Sequence, residues 1–297
     1  MIKLPRLKNV DEIDPNTPVL IAGQTASGKS HLALEIAKKY GGIIINADAI
    51  QIYKNWKILT ARPSSMDEAK IKHKLYGHID GATDYSVGTW IQEIKEILAA
   101  NSRPIIVGGT GLYFSALTNG LVDIPEISDS IRQEANNRIE KNGFESLVKE
   151  IDPETSQKID INNPVRVQRA WEVLRSTGRG LNSWHNETPK PTLDLRMCKA
   201  ILVHGEVSII NKRITKRFDQ MMEKGLIQEA ESNLANWNKF HPSSKAIGAQ
   251  ELIAFLNNHI SKDQLREQII IATRQYAKRQ RTWFRSKMKN WEKYIIE

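Results

Sequence analysis

Residues 23–30, Gly-Gln-Thr-Ala-Ser-Gly-Lys-Ser, fit the spacing G-x-x-x-x-G-K-[ST] and follow directly on the apolar run Val19-Leu20-Ile21-Ala22. A short buried strand that delivers the chain into such a turn, with a helix starting near Gly28, aims backbone N–H groups and the positive end of a helix dipole at one spot. Gly23 and Gly28 let the backbone come close to an anion, and Gln24, Thr25, Ala26 and Ser27 supply the amides between them. Lys29 adds a charge, and Ser30 a hydroxyl of the kind that faces Mg2+. The expected occupant carries a diphosphate or triphosphate, or departs as inorganic pyrophosphate.

The rest of the amino-terminal half alternates strand and helix. Leu32, Leu34, Ile36 and Ala37 continue the helix to about Lys39, where Gly41-Gly42 ends it, and Ile43-Ile44-Ile45 makes a second strand that delivers Asp48. Ligands of open parallel sheets bind beyond the carboxyl ends of the strands, so Asp48 falls near the loop either as a chemical group or as a turn cap. A helix over Val87–Ala100 leads to the strand Ile105-Ile106-Val107 and then to Gly108-Gly109-Thr110-Gly111. An ATPase or GTPase with this loop would be expected to end that strand on an aspartate that positions magnesium. Glycines stand there instead, with the Thr110 hydroxyl beside them or capping the next helix.

From Leu121 to about Asp194 the alternation gives way to helical periodicity alone, as in Ile131, Ala135 and Ile139 and in Val167, Trp171 and Leu174. Ala200–Val203 then reads as a returning strand, and Ile210, Ile214, Phe218 and Met221 mark a long helix that also carries Arg213 and Arg217. Two arginines four apart on one face repel unless an anion sits near them or solvent screens them. The expected organisation is a first core segment at 1–120, a helical insert at 121–195, and a second core segment at 196–297.

The formal charge of +9 is concentrated. Arg274 to Lys289 holds seven basic residues and no acidic one, leaving +2 to the rest of the chain. With Tyr276, Trp283 and Phe284 interleaved, that segment suggests a polyanion partner, most simply a nucleic acid. One cysteine, Cys198, excludes an internal disulfide and a cysteine-cluster zinc site. Met1–Arg6 lacks the apolar core of a signal peptide, and no run approaches the ~20 apolar residues of a membrane span, so a cytoplasmic location with no membrane partner is expected.

Several motifs together resemble one family, the bacterial tRNA dimethylallyltransferases, also called tRNA isopentenyltransferases. They are the loop at 23–30, INADAIQIY at 45–53, YSVGTW at 85–90, PIIVGGTGLYFSAL at 104–117, PVRVQRAWEVLRSTG at 164–178, KRITKRFDQMMEKGLIQEA at 212–230, KAIGAQEL at 245–252 and ATRQYAKRQRTWFR at 272–285. The resemblance implies an α/β fold, with a P-loop NTPase-like parallel sheet core flanked by helices and an inserted all-helical subdomain that binds tRNA. It also implies transfer of the prenyl group of dimethylallyl diphosphate to N6 of the adenosine immediately 3′ of the anticodon, with Mg2+ as cofactor near Ser30. Asp48, Thr110 and Arg217 become the catalytic candidates.

The resemblance further implies contacts with the tRNA anticodon stem-loop from Asp48, Ala49, Ile50, Gln51 and Thr110, and from Arg132, Val165, Arg166, Val167, Gln168 and Arg169. It adds Lys245, Ala246, Ile247, Gly248, Ala249 and Gln250, with Arg274, Lys278 and Arg281 on the basic helix. Gln24 stands where the family commonly has Pro, Ala49 where it has Ser, Leu59 where it has Gly, and Ala249-Gln250 where it has Tyr-Lys or Tyr-Arg. One active site per chain makes a monomer sufficient. The rival readings are an adenylate isopentenyltransferase acting on free nucleotides and a P-loop kinase for a small molecule.

Overall fold

The branched apolar runs at 19–23 and 104–108 become neighbouring central strands, β1 (Val19–Gly23) and β4 (Pro104–Gly108), buried along their whole length. Strands enclosed on both faces lose the polar–apolar alternation of a half-exposed sheet, which is why these segments read as unbroken apolar runs. With β2 (Ile43–Asn46), β3 (His73–Lys74), β5 (Lys199–Gly205) and β6 (Glu292–Ile296) they form one parallel sheet in the order β3-β2-β4-β1-β5-β6. Register is set by pairs such as Val19↔Ile105 and Ile21↔Ile201. Because all six strands are parallel, the turns after β1, β2 and β4 open on the same edge. The structure is a computed structural model that describes residues 13–14, 16–100, 103–187 and 189–296. Met1–Arg6, where a leader would begin, lies outside them.

Helix α1 (Lys29–Tyr40) buries Leu32, Ala33, Ile36 and Ala37 against the sheet and stops at Gly41, whose φ of 72° places the chain in left-handed backbone while its N–H closes on the Ala37 carbonyl. α2 (Ser65–Lys70) and α3 (Val87–Ala99) follow, the latter burying Trp90, Ile91 and Ile94. α4 (Gly111–Asn119) leaves the turn after β4. Truncating a fully buried side chain such as Trp90 to Ala would cost about 3–5 kcal/mol.

The chain separates into two compact units, Met1–Thr118 with Thr192–Glu297, and Asn119–Pro191. The second is helical: α5 (Asp129–Asn142), α6 (Glu145–Val148), α7 (Pro153–Lys158), α8 (Pro164–Thr177) and α9 (Leu181–His185). Its own core gathers Ile127, Ala135, Leu147, Ile151, Val167, Ala170, Trp171, Val173 and Leu181. Helix α8 has Pro164 at its start, an Asn163 side chain that caps the Arg166 N–H, and Gly178 at φ 68° as its stop.

In the first unit the chain continues through α10 (Val207–Glu223), α11 (Leu226–Leu234), α12 (Ala249–Leu256) and α13 (Lys262–Lys287) before ending in β6. Helix α10 buries Ile210, Ile214, Phe218 and Met221, the stripe its spacing predicts. Among the described residues no helix is long and apolar enough to cross a membrane.

Candidate active site

The turn after β1 leads directly into α1. Gly28 caps α1 in left-handed backbone, φ 86°, without a side-chain hydrogen bond, and the first turn carries no acidic residue. Side-chain caps are present on α2, α3, α7, α8 and α13 and absent on α5, α6, α9, α10, α11 and α12 as on α1. What sets α1 apart is the glycine-bounded turn before it, whose backbone can approach an anion in the field of the helix N-terminus. Gly23 cannot be larger: a Cβ there would lie 2.6 Å from Ser27 Oγ and 2.8 Å from the Val203 carbonyl. Gln24 and Ser27 are buried, and Gln24 Nε2 and Ser27 Oγ have no hydrogen-bond partner in the structure. Burial lowers the Lys29 pKa to about 8, with Asp48 opposing that shift and Arg217 adding to it. Arg213, one turn before Arg217 on α10, brings its guanidinium close to Gly28.

Beyond β2, Asn46 is fully buried and fixes Asp48 from both sides. Its Oδ1 accepts the Asp48 N–H at 2.9 Å, and its Nδ2 donates to the carbonyls of Asp48 at 2.9 Å and Leu75 at 3.0 Å. The Trp90 indole N–H donates to the Asn46 carbonyl at 2.8 Å. Asp48 Oδ1 accepts the Ile50 N–H at 3.1 Å, so this carboxylate also closes a local turn. Thr110 Oγ1 accepts the Ala49 N–H at 2.9 Å and joins the turn after β4 to the turn after β2. Gly108 allows that approach, since a Cβ there would sit 1.9 Å from the Ala47 carbonyl oxygen.

Arg217 reaches the loop from α10. Its Nη1 donates to Thr25 Oγ1 at 3.4 Å and its Nη2 to the Thr60 carbonyl at 3.2 Å. Burial lowers its pKa, and Asp48 offsets part of that. The segment that offers Thr60 is pinned by Glu229, whose carboxylate accepts the N–H groups of Lys57 and Ile58 at 2.7 Å each and of Leu59 at 2.9 Å. Thr25, Asp48, Gln51, Thr60 and Arg217 share a cavity of about 290 Å³ with Lys245, Thr273, Tyr276 and Arg279, and Ile50, Leu59, Ile214, Phe218, Met221, Ile247, Ile269 and Ile270 form its apolar wall. Leu59, which stands where the family commonly has Gly, belongs to that wall and packs close to Gly248, where a Cβ would come 3.0 Å from Leu59 Cδ1.

No group of three or more His, Cys, Asp or Glu that could hold a metal occurs among the described residues. The oxygen donors on and beside the loop are hard ones, among them the exposed Ser30 hydroxyl, the Thr25 and Ser27 hydroxyls and the Asp48 carboxylate. Such a set suits an ion that takes most of its ligands from phosphate oxygens and water, as Mg2+ does.

The basic segment lies on α13 as far as Lys287, and its aromatic residues make contacts within the protein. Phe284 is in the core, Trp283 lies where a Cβ on Gly111 would fall 2.2 Å from its ring, and Tyr276 lines the cavity. At helical spacing Phe284 falls on the packed side, while Tyr276 and Trp283 are half-buried. Arg274, Lys278 and Arg279 are exposed, whereas Arg281 is half-buried and directs Nη1 to Gln24 Oε1 at 3.4 Å. Of the other residues carried over as RNA contacts, Lys245 and Gln250 are exposed in the first unit, and Val165, Arg166 and Arg169 are exposed in the helical unit, where Arg132 and Gln168 are half-buried. Val167, Ala246 and Ala249 are buried and Gly248 has no side chain, so none of these four has a side chain to offer a ligand.

The IPP transferase family model matches residues 51–287, and an isopentenyl transferase model matches residues 17–77. The chain is 50% identical over 279 residues to a tRNA dimethylallyltransferase of Cereibacter sphaeroides, covering 94% of this chain and 96% of the relative. The chain belongs to this family. A second family member, from Roseobacter denitrificans, is 50% identical over 95% of the chain and 99% of its own length. Among solved structures, the tRNA isopentenylpyrophosphate transferase of Bacillus halodurans aligns with a TM-score of 0.65 at 30% identity, over 94% of this chain and 90% of its own. A eukaryotic dimethylallyltransferase acting on tRNA aligns at 0.74 and 28% identity, over 90% of this chain and 69% of its own. Family membership sets aside the small-molecule kinase, and the P-loop NTPase-like core is the fold these relatives share.

Proposed function

We propose that this chain transfers the dimethylallyl group of dimethylallyl diphosphate to N6 of the adenosine immediately 3′ of the anticodon in tRNA, releasing diphosphate. One observation carries the reading: Thr25 of the phosphate loop, the Arg217 cation and the Asp48 carboxylate line a single pocket whose remaining wall is largely apolar. An anionic head, a five-carbon tail and a base for an amine proton are all provided for there. The loop holds the diphosphate, with Lys29 and Arg217 offsetting the charge that grows on its leaving oxygen. As the N6 lone pair forms its bond to the allylic carbon, the carbon–oxygen bond breaks and its electron pair leaves on the diphosphate. Asp48 accepts the proton that N6 gives up. Thr110, through the Ala49 amide, keeps the segment carrying Asp48 in place.

Ser30 would hold Mg2+ on the diphosphate, and the ion would supply further neutralisation of the leaving group. An adenine within a stacked loop must be extruded to reach the pocket, at a cost of a few kcal/mol. Contacts from Asp48–Gln51, Lys245, Gln250 and the exposed face of α13, and from Arg132 and the exposed residues of 165–169 on the helical unit, would offset that cost. A cytoplasmic monomer belongs to the same proposal, since one site per chain suffices for the reaction and tRNA is its substrate. The test is to treat unmodified tRNA and free AMP with the protein, Mg2+ and dimethylallyl diphosphate, then analyse nucleosides by mass spectrometry. Isopentenyladenosine should form in the tRNA. Prenylation of AMP in its place would reassign the substrate.

A further inference from the structure

Gln280 lies among the basic residues of α13 but faces inward. It is 6% exposed, and both ends of its carboxamide are used: Oε1 accepts the Thr25 N–H at 2.8 Å, and Nε2 donates to the Gly109 carbonyl at 2.9 Å. One side chain thus ties the turn after β1 to the turn after β4. The fit has no slack, since a Cβ at Gly109 would sit 2.3 Å from Gln280 Nε2. The next residue adds a second tie, Arg281 Nη1 to Gln24 Oε1 at 3.4 Å. That tie needs a side-chain acceptor at position 24, which a proline would lack. Two residues before Gln280, Lys278 stands exposed on the same helix.

We infer that Gln280 is a positioning residue, one that sets the shape of the phosphate loop from the helix bearing the basic face, so that RNA on that face and a diphosphate in the loop bind interdependently. A hydrogen bond weakens steeply when stretched or bent, and closely packed elements move as units, so a small shift of α13 is felt at Thr25 and Gly109 together. Whatever RNA does to diphosphate affinity, diphosphate must do to RNA affinity by the same factor. The inference rests on the proposed reading, in which the loop takes the prenyl diphosphate and α13 meets RNA.

The test measures the dissociation constant of a non-reactive prenyl diphosphate analogue with and without a saturating anticodon stem-loop, for wild type and for Gln280→Met, which keeps length and helix propensity but makes neither bond. RNA should change the wild-type constant by about fivefold or more, a typical coupling. In Gln280→Met the change should fall below about twofold, while RNA affinity stays within about threefold. Wild-type constants that RNA leaves unmoved, or full coupling in Gln280→Met, would overturn the inference while leaving the active-site reading standing. Failure of wild type to bind the analogue at all would overturn both. Should Gln280→Met not fold, the Thr25 amide resonance of the unaltered protein decides: RNA alone should shift it, and a stationary resonance sinks the idea.

Discussion

Charges in the helical unit and charges around the phosphate loop are treated in opposite ways. Within the helical unit, Glu150 accepts from Arg138 at 2.9 Å and from the Trp171 indole at 2.8 Å, and the Arg138 guanidinium lies 5.3 Å from the Trp171 ring centre. The hydrogen bond from Arg138, then that from Trp171, pulls the Glu150 pKa to about 2. That cluster closes on itself. Around the loop, burial depresses the pKa of Lys29 and of Arg217, and among the described residues neither has a carboxylate at ion-pair distance. Asp48 reaches both only as a longer-range field. Half-buried cations short of counter-charge are stabilised when an anion arrives, so the imbalance itself points to a ligand.

The sharpest way to break that comparison is Asp48→Asn. If Asp48 only closes a turn through the Ile50 N–H, the amide does the same job and activity survives. If it takes the N6 proton, single-turnover prenylation of tRNA should fall by about 10²–10⁴ with RNA affinity nearly unchanged. An active Asp48→Asn enzyme would reduce Asp48 to the same structural standing as Glu150.

Next in size is replacement of Lys278, Arg279 and Arg281 by Ala. RNA affinity should fall, and its log–log salt slope should flatten by about 0.7–0.9 for each phosphate that the protein no longer neutralises. Arg281 is engaged with Gln24, so two phosphates are expected to go unpaired, about 1.4–1.8 in slope, where three freely exposed cations would give about 2.1–2.7. Titrations of a stem-loop at several salt concentrations separate the two values.

What could be read in advance and what could not divides along the same line. Lys29, Ser30 and Asp48 could be nominated from sequence because phosphate and proton chemistry favour such side chains at fixed offsets from strand ends. Glu229 and Gln280 could not, because they act across 171 and 255 residues of chain to bind amides of Ile58 and Thr25, and no local pattern marks such a partner. That Phe284 is buried and Trp283 half-buried was likewise not legible, because composition does not say which side of a helix is packed. Strand β3, with two residues, is too short to show a period, and β6, Glu-Lys-Tyr-Ile-Ile, begins on two charges at the edge of the sheet.

A smaller effect tests the unbalanced side of the comparison. With Lys29 titrating at about 8 in the free protein and higher once a diphosphate sits beside it, binding takes up a proton above that pH. Affinity for a prenyl diphosphate analogue should hold below about pH 8 and fall toward tenfold per pH unit above it. Lys29→Arg, whose charge persists to far higher pH, should bind without that break even if its overall affinity is lower. The stability of the free protein should move the other way. The unfolded lysine titrates near 10.5 and binds more protons than the folded one in the intervening range, so unfolding free energy gains from Lys29 as pH rises from about 8 toward 10.5.

The smallest effect tests the balanced side. Glu150 has its folded pKa lowered from 4.5 to about 2, so its contribution is complete above the unfolded value and drains away as pH falls between the two. The nominal shift overstates the energy, because the Glu150 side chain is 49% exposed and its pair with Arg138 is screened. Glu150→Gln should therefore cost under about 1 kcal/mol near neutral pH, and the gap to wild type should narrow as pH drops below about 4.5. Denaturant unfolding of both proteins across that range measures it. A gap that stayed constant into acid would mean that Glu150 acts through the Trp171 hydrogen bond, which a glutamine can still accept in part, and not through its charge.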